Sequence, residues 1–233
     1  MLERYDFERI NYTPPGLRRE ALPGLVRLID LVERFSTVIY TDLPEADVER
    51  AIDEQIAYFE QLGHDFEWKV FSHDRPADLV ERLRARGFDI DEVEAILGLE
   101  VDSAPAQLFE PTPAVRQVFD PSEAPERIRW EMINTPDQVS VYVAEVDGQP
   151  VSHGWVRFPE HSALASLWGG ATDPAFRGRG LYSQLVARRI QEARQRGYRY
   201  VTVDARAMSR PILERRGFRV LTLATACTRA PST

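Results

Sequence analysis

Ala171-Thr-Asp-Pro-Ala-Phe-Arg-Gly-Arg-Gly-Leu-Tyr-Ser183 is the stretch on which the reading of this chain turns, a strand end running into an arginine- and glycine-rich turn that opens a helix. The residues before it, Ser166 to Gly170, are apolar or small and fit a buried strand. Those after it place Leu181, Leu185, Val186, Ile190 and Ala193 at the three-to-four spacing of a helix packed on one face. Arg177-Gly178-Arg179-Gly180 therefore sits where a helix begins. The first amides of a helix have no acceptor within it, and the aligned peptide dipoles make that end electropositive, so the turn suits an anion such as a phosphate. Gly178 and Gly180 let the backbone come close to a ligand with no Cβ in the way.

Working outward, 233 residues with 43% hydrophobic content can bury a sizeable core, as one large domain or two small ones. A formal charge of -8 argues against nucleic acid or an anionic membrane as partner, since such surfaces are met by a basic excess. The single cysteine, Cys227, excludes an internal disulfide framework and a multi-cysteine metal site, and is read as a buried strand thiol. Four scattered histidines show no metal-ligand spacing. The charged start of the chain has no signal-type apolar segment, and no run reaches the length of a membrane span, so a cytoplasmic location is expected.

In order along the chain, residues 1–20 read as an extended lead-in, 22–35 as a helix, 36–41 as a strand and 45–62 as an amphipathic helix closed by Gly63. A strand is expected over 66–72. Asp74 is the expected N-cap of a helix running to Arg86, and a further strand spans 93–101. Residues 102–125 hold five prolines around the short apolar run 115–119 and read as a linker containing one strand. A helix over 122–133 leads to strands 139–146 and 151–158, joined by Asp147-Gly148, a strong hairpin signal. Beyond the opening stretch, Gly197 ends the helix. A strand over 198–205, a short helix over 209–216 and at least one strand within 218–228 complete the chain.

The two halves repeat this order of strand, aspartate, helix, glycine, strand, helix and Gly-Phe. Glu81-Arg-Leu-Arg-Ala-Arg-Gly-Phe88 reads like Leu213-Glu-Arg-Arg-Gly-Phe218. Two related modules follow, over 1–104 and 113–233. In the first, Leu43-Pro-Glu-Ala46 stands where the second has its Arg/Gly turn, so the first is not expected to hold a phosphate.

The second module resembles the GNAT acyltransferase superfamily, whose signature is Gln/Arg-x-x-Gly-x-Gly/Ala after the fourth strand. Arg177 and Gly180 supply its first two fixed positions, and Tyr182 stands at the last, where a small residue is usual. The hairpin at Asp147-Gly148, Asp173-Pro174 ahead of the turn and Ile212-Leu-Glu-Arg-Arg-Gly-Phe218 are similar to the family as well. The resemblance covers about residues 113–228. It implies acetyl-CoA or another acyl-CoA, with the backbone from Arg177 through Gly178, Arg179, Gly180, Leu181 and Tyr182 to Ser183 on the pyrophosphate. The strand end Gly170-Ala171-Thr172 then pairs with the pantetheine arm. The fold implied is α/β (α+β), tandem modules each with a mixed, mostly antiparallel sheet flanked by helices.

Amide formation requires the amine to lose a proton, the thioester carbonyl to be polarised and the leaving thiolate to be met by a proton. The family's usual general-acid tyrosine falls on Leu213, its frequent asparagine on Arg206, and the strand 164–172 lacks the glutamate that many members use as a base. The candidates for those roles are Tyr182, Ser209, Asp204 and Glu145, each with a plainer alternative. Tyr182 either donates the proton or stacks beside the cofactor, and Ser209 either bonds the thiol side or caps the last helix. Asp204 is a base or a turn cap; Glu145 is a base acting through water or a solvated charge at a strand end. His153 and Trp155 share a strand face and either line an acceptor pocket or belong to ordinary sheet packing. Trp168 walls that pocket or fills the core. The expectation is direct acetyl transfer from acetyl-CoA to an amine of a small molecule or peptide, with an acyl-CoA sensor lacking turnover as the alternative. The acceptor and the oligomeric state are not legible.

Overall fold

The computed structural model describes residues 1–231. Ser232 and Thr233, the end of the expected second domain, lie outside the described residues. In chain order the first half contains α1 (Leu2–Asn11), β1 (Leu17–Leu22), β2 (Leu25–Asp30), β3 (Phe35–Thr41), α2 (Val48–Leu62), β4 (Asp65–Phe71), α3 (Leu79–Ala85), β5 (Asp89–Ile90) and β6 (Glu94–Glu100). The second contains β7 (Val115–Val118), α4 (Glu126–Asn134), β8 (Val139–Val146), β9 (Gln149–Arg157), β10 (Leu164–Thr172), α5 (Leu181–Gln195), β11 (Tyr200–Ala205), α6 (Arg210–Glu214) and β12 (Arg219–Arg229). It is a mixed α/β fold in which most strand pairs are antiparallel, with helices flanking the sheets.

Two compact units result: Met1–Ala95 together with the residues from Leu221 on, and Ile96–Val220. The sequence divides the chain as 1–104 and 113–233. The difference has a local cause at each boundary. Residues 96–105 are fastened to the second unit, where the Val101 N–H donates to the Arg199 carbonyl at 2.9 Å and Glu100 pairs with Arg199 at 3.2 Å. At the other end, Ala224 to Arg229 pair antiparallel with Phe71 to Phe66 of β4, which draws the last strand into the first unit.

The first unit orders its strands β1-β2-β3-β4-β12, with β5 also pairing β12. Its core joins Val48, Ile52 and Phe59, the apolar stripe of α2, to Phe66, Trp68, Leu79, Leu83 and Cys227. Three sequence expectations are corrected here. The start of the chain is not an extended lead-in but helix α1. Residues 22–35 form no helix, because Leu25 to Ile29, Arg27 included, are buried throughout as β2, and a run covered on both faces carries no alternation that separates strand from helix. Asp74 caps nothing: it is buried, accepts two hydrogen bonds from Arg9 at 2.9 and 3.2 Å and one from the Phe71 amide at 3.0 Å, and α3 starts only at Leu79.

The second unit orders its strands β6-β11-β10-β9-β8-β7. Leu185, Val186 and Ile190 of α5 are buried against this sheet, each such burial contributing about 1.5–3 kcal/mol. The proline-rich segment is no free linker. Gln191 of α5 donates to the carbonyls of Leu108 and Glu110 at 2.9 and 2.8 Å, and Gln184 accepts from the Ala114 amide at 3.3 Å, so the segment lies pinned along α5.

Two departures from regular sheet geometry shape the second unit. Strands β10 and β11 run parallel through four register pairs, Leu164↔Tyr200 to Leu167↔Val203, and then part, although β10 continues to Thr172 and β11 to Ala205. On its other edge β10 pairs antiparallel with β9, and between Trp168↔Trp155 and Ala171↔His153 the register slips, leaving an extra residue on β10 at Gly169-Gly170.

Candidate functional site

The parting of β10 from β11 leads directly into the turn after β10. Asp173 opens it: its side chain accepts from the Ala175 amide at 2.9 Å, and its own amide donates to the Val151 carbonyl at 2.9 Å. Arg177 folds back, Nε donating to the Thr172 carbonyl at 3.2 Å, which ties the turn to the strand end. Gly180 then precedes α5 at φ 77°, a left-handed conformation that side chains resist, and no atom lies within 4 Å of the place a Cβ would take. The first bond of the helix runs from the Gln184 amide to the Gly180 carbonyl at 3.0 Å. The amides of Leu181, Tyr182 and Ser183 precede it without an intrahelical acceptor, at the positive end of a 15-residue helix. A cleft of about 310 Å³ opens beside this end, lined among others by Glu110, Pro113, Gly180, Ser183, Gln184 and Arg216.

The structure brings two of the expected site residues together. The ring of Tyr182 lies against Gly170 of β10, so closely that a Cβ on that glycine would sit 2.7 Å from Cε2, and Ser209, just ahead of α6, lies near enough to its hydroxyl to act on the phenol. The side chain of Ser209 makes no helix-capping bond; its hydroxyl donates to the Arg206 carbonyl at 3.3 Å. Burial raises the Tyr182 phenol above its ordinary value, against the opposing pull of the Arg189 charge and the nearby Ser209 hydroxyl. It is therefore protonated at neutral pH and able to donate.

Asp204 is half-buried on β11, the first residue past the last register pair with β10. Glu145, near the β8–β9 turn, accepts from Arg116 at 2.7 Å, and Arg116 also binds Glu123 at 2.8 Å, so Glu145 belongs to a surface ion-pair chain. Leu213 is fully buried, and Arg206 is exposed.

His153 and Trp155 share the face of β9 that meets α4. Arg127 of α4 lies over the Trp155 ring at 4.5 Å, while Arg157, held by Glu131 at 2.8 Å, lies over Trp168 at 4.8 Å. Trp168 is the more open of the two tryptophans, at 37% exposure against 3% for Trp155. His153 is the register partner of Ala171, immediately past the bulge. Burial, then the charges of Arg127 and Arg189, lower its pKa from 6.5, so the imidazole is neutral and able to accept a proton.

Arg189 escaped the sequence reading. It follows Leu185 by four residues and precedes Ala193 by four, so the stripe that identifies the helix runs straight through it. A charged residue in a buried stripe is the signal that could have found it. No group of histidine, cysteine and carboxylate side chains suited to a metal ion occurs among the described residues, and none of their helices is long and apolar enough to cross a membrane.

Comparison with known proteins yields a match to the acetyltransferase (GNAT) family over residues 104–218. Among solved structures, the chain is similar to a GCN5-related N-acetyltransferase from Kribbella flavida, with a TM-score of 0.69 at 15% identity over 100% of this chain and 95% of that one. A functionally unknown conserved protein from Staphylococcus epidermidis gives 0.68 at 14% identity over 93% and 95% of the two chains. A tandem GNAT protein from the clavulanic acid biosynthesis pathway gives 0.58 at 12% identity over 95% and 86%. At such identities these likenesses speak for the fold. A comparison with curated proteins finds no match.

Proposed function

Through residues 104–218 the chain belongs to the acetyltransferase (GNAT) family, and we propose that it transfers an acetyl group from acetyl-CoA to an amine by direct attack. The observation that carries this reading is the conjunction of the parted strands β10 and β11 with the open, glycine-led start of α5. Backbone amides there point outward with no side chain in the way, which suits a pyrophosphate, and Arg216 beside the cleft adds positive charge. The edge of Gly170-Ala171-Thr172 turned away from β9 pairs with no strand among the described residues and offers main-chain groups to an extended amide-bearing arm, with the Thr172 carbonyl already engaged by Arg177. Bound acetyl-CoA would supply an activated acyl thioester.

The chain's own residues divide the remaining work. His153, neutral and set across from Ala171, accepts the proton of the amine. Tyr182, protonated and packed by its ring against Gly170, gives a proton to the departing sulfur. Trp168, the open one of the two tryptophans, walls the acceptor side, backed by the buried Trp155. Asp204 and Glu145 are assigned supporting roles at most, the latter because Arg116 already engages it.

The first unit is proposed to lack this activity. There β3 and β4 also run parallel for four pairs, Phe35↔Asp65 to Val38↔Trp68, before parting. The carbonyl of the next residue, Ile39, is taken by Arg9 Nε at 3.1 Å, and Leu43-Pro-Glu-Ala46 leads into its helix without a glycine.

A second reading, acyl-CoA binding without turnover, is favoured by the burial of Leu213 where the family's acid would stand. The test is calorimetric titration of acetyl-CoA into wild type and Gly180→Trp, followed by thiol detection of released CoA with a panel of amines. Binding in wild type, loss of binding in Gly180→Trp and amine-dependent CoA release are expected. Binding without release with any amine supports the sensor, and undiminished binding by Gly180→Trp overturns the assignment of the turn.

A further inference from the structure

Arg189 is 1% exposed, yet no carboxylate among the described residues pairs with it. Its hydrogen bonds all end on carbonyl oxygens: Nε on Leu185 at 3.0 Å, and Nη1 on Trp155 at 3.1 Å and on Trp168 at 3.2 Å. Those last two residues are the register partners that precede the bulge. One nitrogen thus straddles β9 and β10 where their ladder breaks. The space for it is cut by glycines: a Cβ on Gly154 would lie 2.9 Å from Nη1 and one on Gly170 3.7 Å from Nη2. Taking an uncompensated cation out of water costs several kcal/mol, and a fold that needed only to fill this volume would be better served by leucine or methionine. Burial lowers its pKa only to about 10, so the charge persists at neutral pH.

We propose that Arg189 is a positioning residue of the acyl-transfer site, pinning the bulge of β10 and setting a fixed positive charge behind the Tyr182 phenol. The proposal rests on the acyl-transfer reading above. Tyr182 precedes Arg189 by seven residues, two helical turns, so both project from the same face of α5. The groups that act on the phenol are Arg189 from α5 and Ser209 ahead of α6. Arg189 in turn is faced by Tyr142 from β8, and its charge reaches His153 on β9. Burial alone would make Tyr182 a reluctant donor. The cation offsets part of that effect and brings the phenol closer to the acidity that proton transfer at neutral pH requires. It also disfavours protonation of His153, which keeps the base and the acid in opposite proton states.

The test uses the full-length protein with a fluorinated tyrosine incorporated at position 182, which brings the phenol titration into a range the fold tolerates, read by fluorine NMR without substrate. Arg189→Met is expected to move that titration to higher pH, and Arg189→Lys to return it towards wild type. Turnover by Arg189→Met is expected to fall by about 10²–10³-fold, the range for removal of one preorganised electrostatic group, with acetyl-CoA affinity retained. A purely structural role would lower stability without moving the titration, and Arg189→Lys would not restore it. If Arg189→Met does not fold, Arg189→Gln, which can still bond a carbonyl but carries no charge, gives the same reading. An unmoved titration in a folded, uncharged variant overturns the proposal. Failure of wild type to bind acetyl-CoA overturns the acyl-transfer reading instead, since the phenol titration is measured without it.

Discussion

Replacing Gly169 by alanine perturbs the bulge through two separable effects. The residue has φ 60°, and a Cβ there would overlap Cζ3 and Cη2 of Trp155 and lie 2.5 Å from Cε3. Holding an alanine in the left-handed region costs about 1–2 kcal/mol. Restoring ordinary carbon separations of about 3.5–4.0 Å requires ring and backbone to move apart by an ångström or more. Trp155 is 3% exposed and hemmed in by Val141, Val143 and Ile128, so that movement amounts to overpacking, at about 1–3 kcal/mol. A total loss of about 2–5 kcal/mol is expected. Gly178→Ala is the control: its φ is 76° but nothing lies within 4 Å of its Cβ position, so only the backbone cost of about 1–2 kcal/mol applies. Urea unfolding followed by tryptophan fluorescence reports chiefly on the second unit, which holds Trp130, Trp155 and Trp168 while Trp68 lies in the first. Equal destabilisation by the two variants would refute the claim that the bulge is shaped by packing on Trp155.

Tyr182→Phe is expected to lower turnover by about 10²-fold or more while leaving acetyl-CoA affinity little changed, and full activity in that variant would remove the phenol from the mechanism. Because the phenol is raised above 10.0, wild-type activity is expected to lose its acid only above that pH, a limb that initial-rate profiles will show and Tyr182→Phe will lack. His153 titrates lower in the folded state than its 6.5 unfolded value. The unfolded chain therefore binds the proton first, so the contribution of His153 to stability is complete above about 6.5 and is lost as pH falls below it; His153→Asn should flatten that part of a melting-temperature profile, and an unchanged slope would contradict the assignment. Cys227 is fully buried with its thiol pushed up to about 12 by burial, so a disulfide reagent at neutral pH should react only as the first unit opens, and fast labelling of the native protein would be the contrary result.

The parts of the second unit that bear on function were legible because they carry strong local signals. The Asp147-Gly148 hairpin, the periodicity of α5 and the Arg/Gly turn each follow from neighbours in sequence, and the structure contains all three. The first unit was harder. Leu25 to Ile29 is buried on both faces and so loses the alternation that marks a strand, and Asp74 looks like a helix cap until Arg9, 65 residues away, claims it. The partnership of Tyr182 with Ser209 depends on how α5 and α6 are set against β10, and spacing along the chain carries no trace of it. The boundary of the units was hidden for a related reason: prolines mark residues 102–125 as irregular, while a hydrogen bond donated by Gln191 and one accepted by Gln184 fix that segment in place.

The allocation of β12 bears on how the protein is made. The first unit draws on Met1–Ala95 and then on residues from Leu221 onward, so its sheet lacks β12 until the ribosome has supplied the roughly 125 residues between. At about 5–20 residues per second this is a wait of about 6–25 s, during which the face of β4 destined for β12 stands open. The second unit, contiguous from Ile96 to Val220, can close as soon as it emerges. Met1–Ala95 is thus made before the second unit, but the second is the first that can be finished, and the nascent first unit is the state in which a chaperone or a premature stop would have its largest effect.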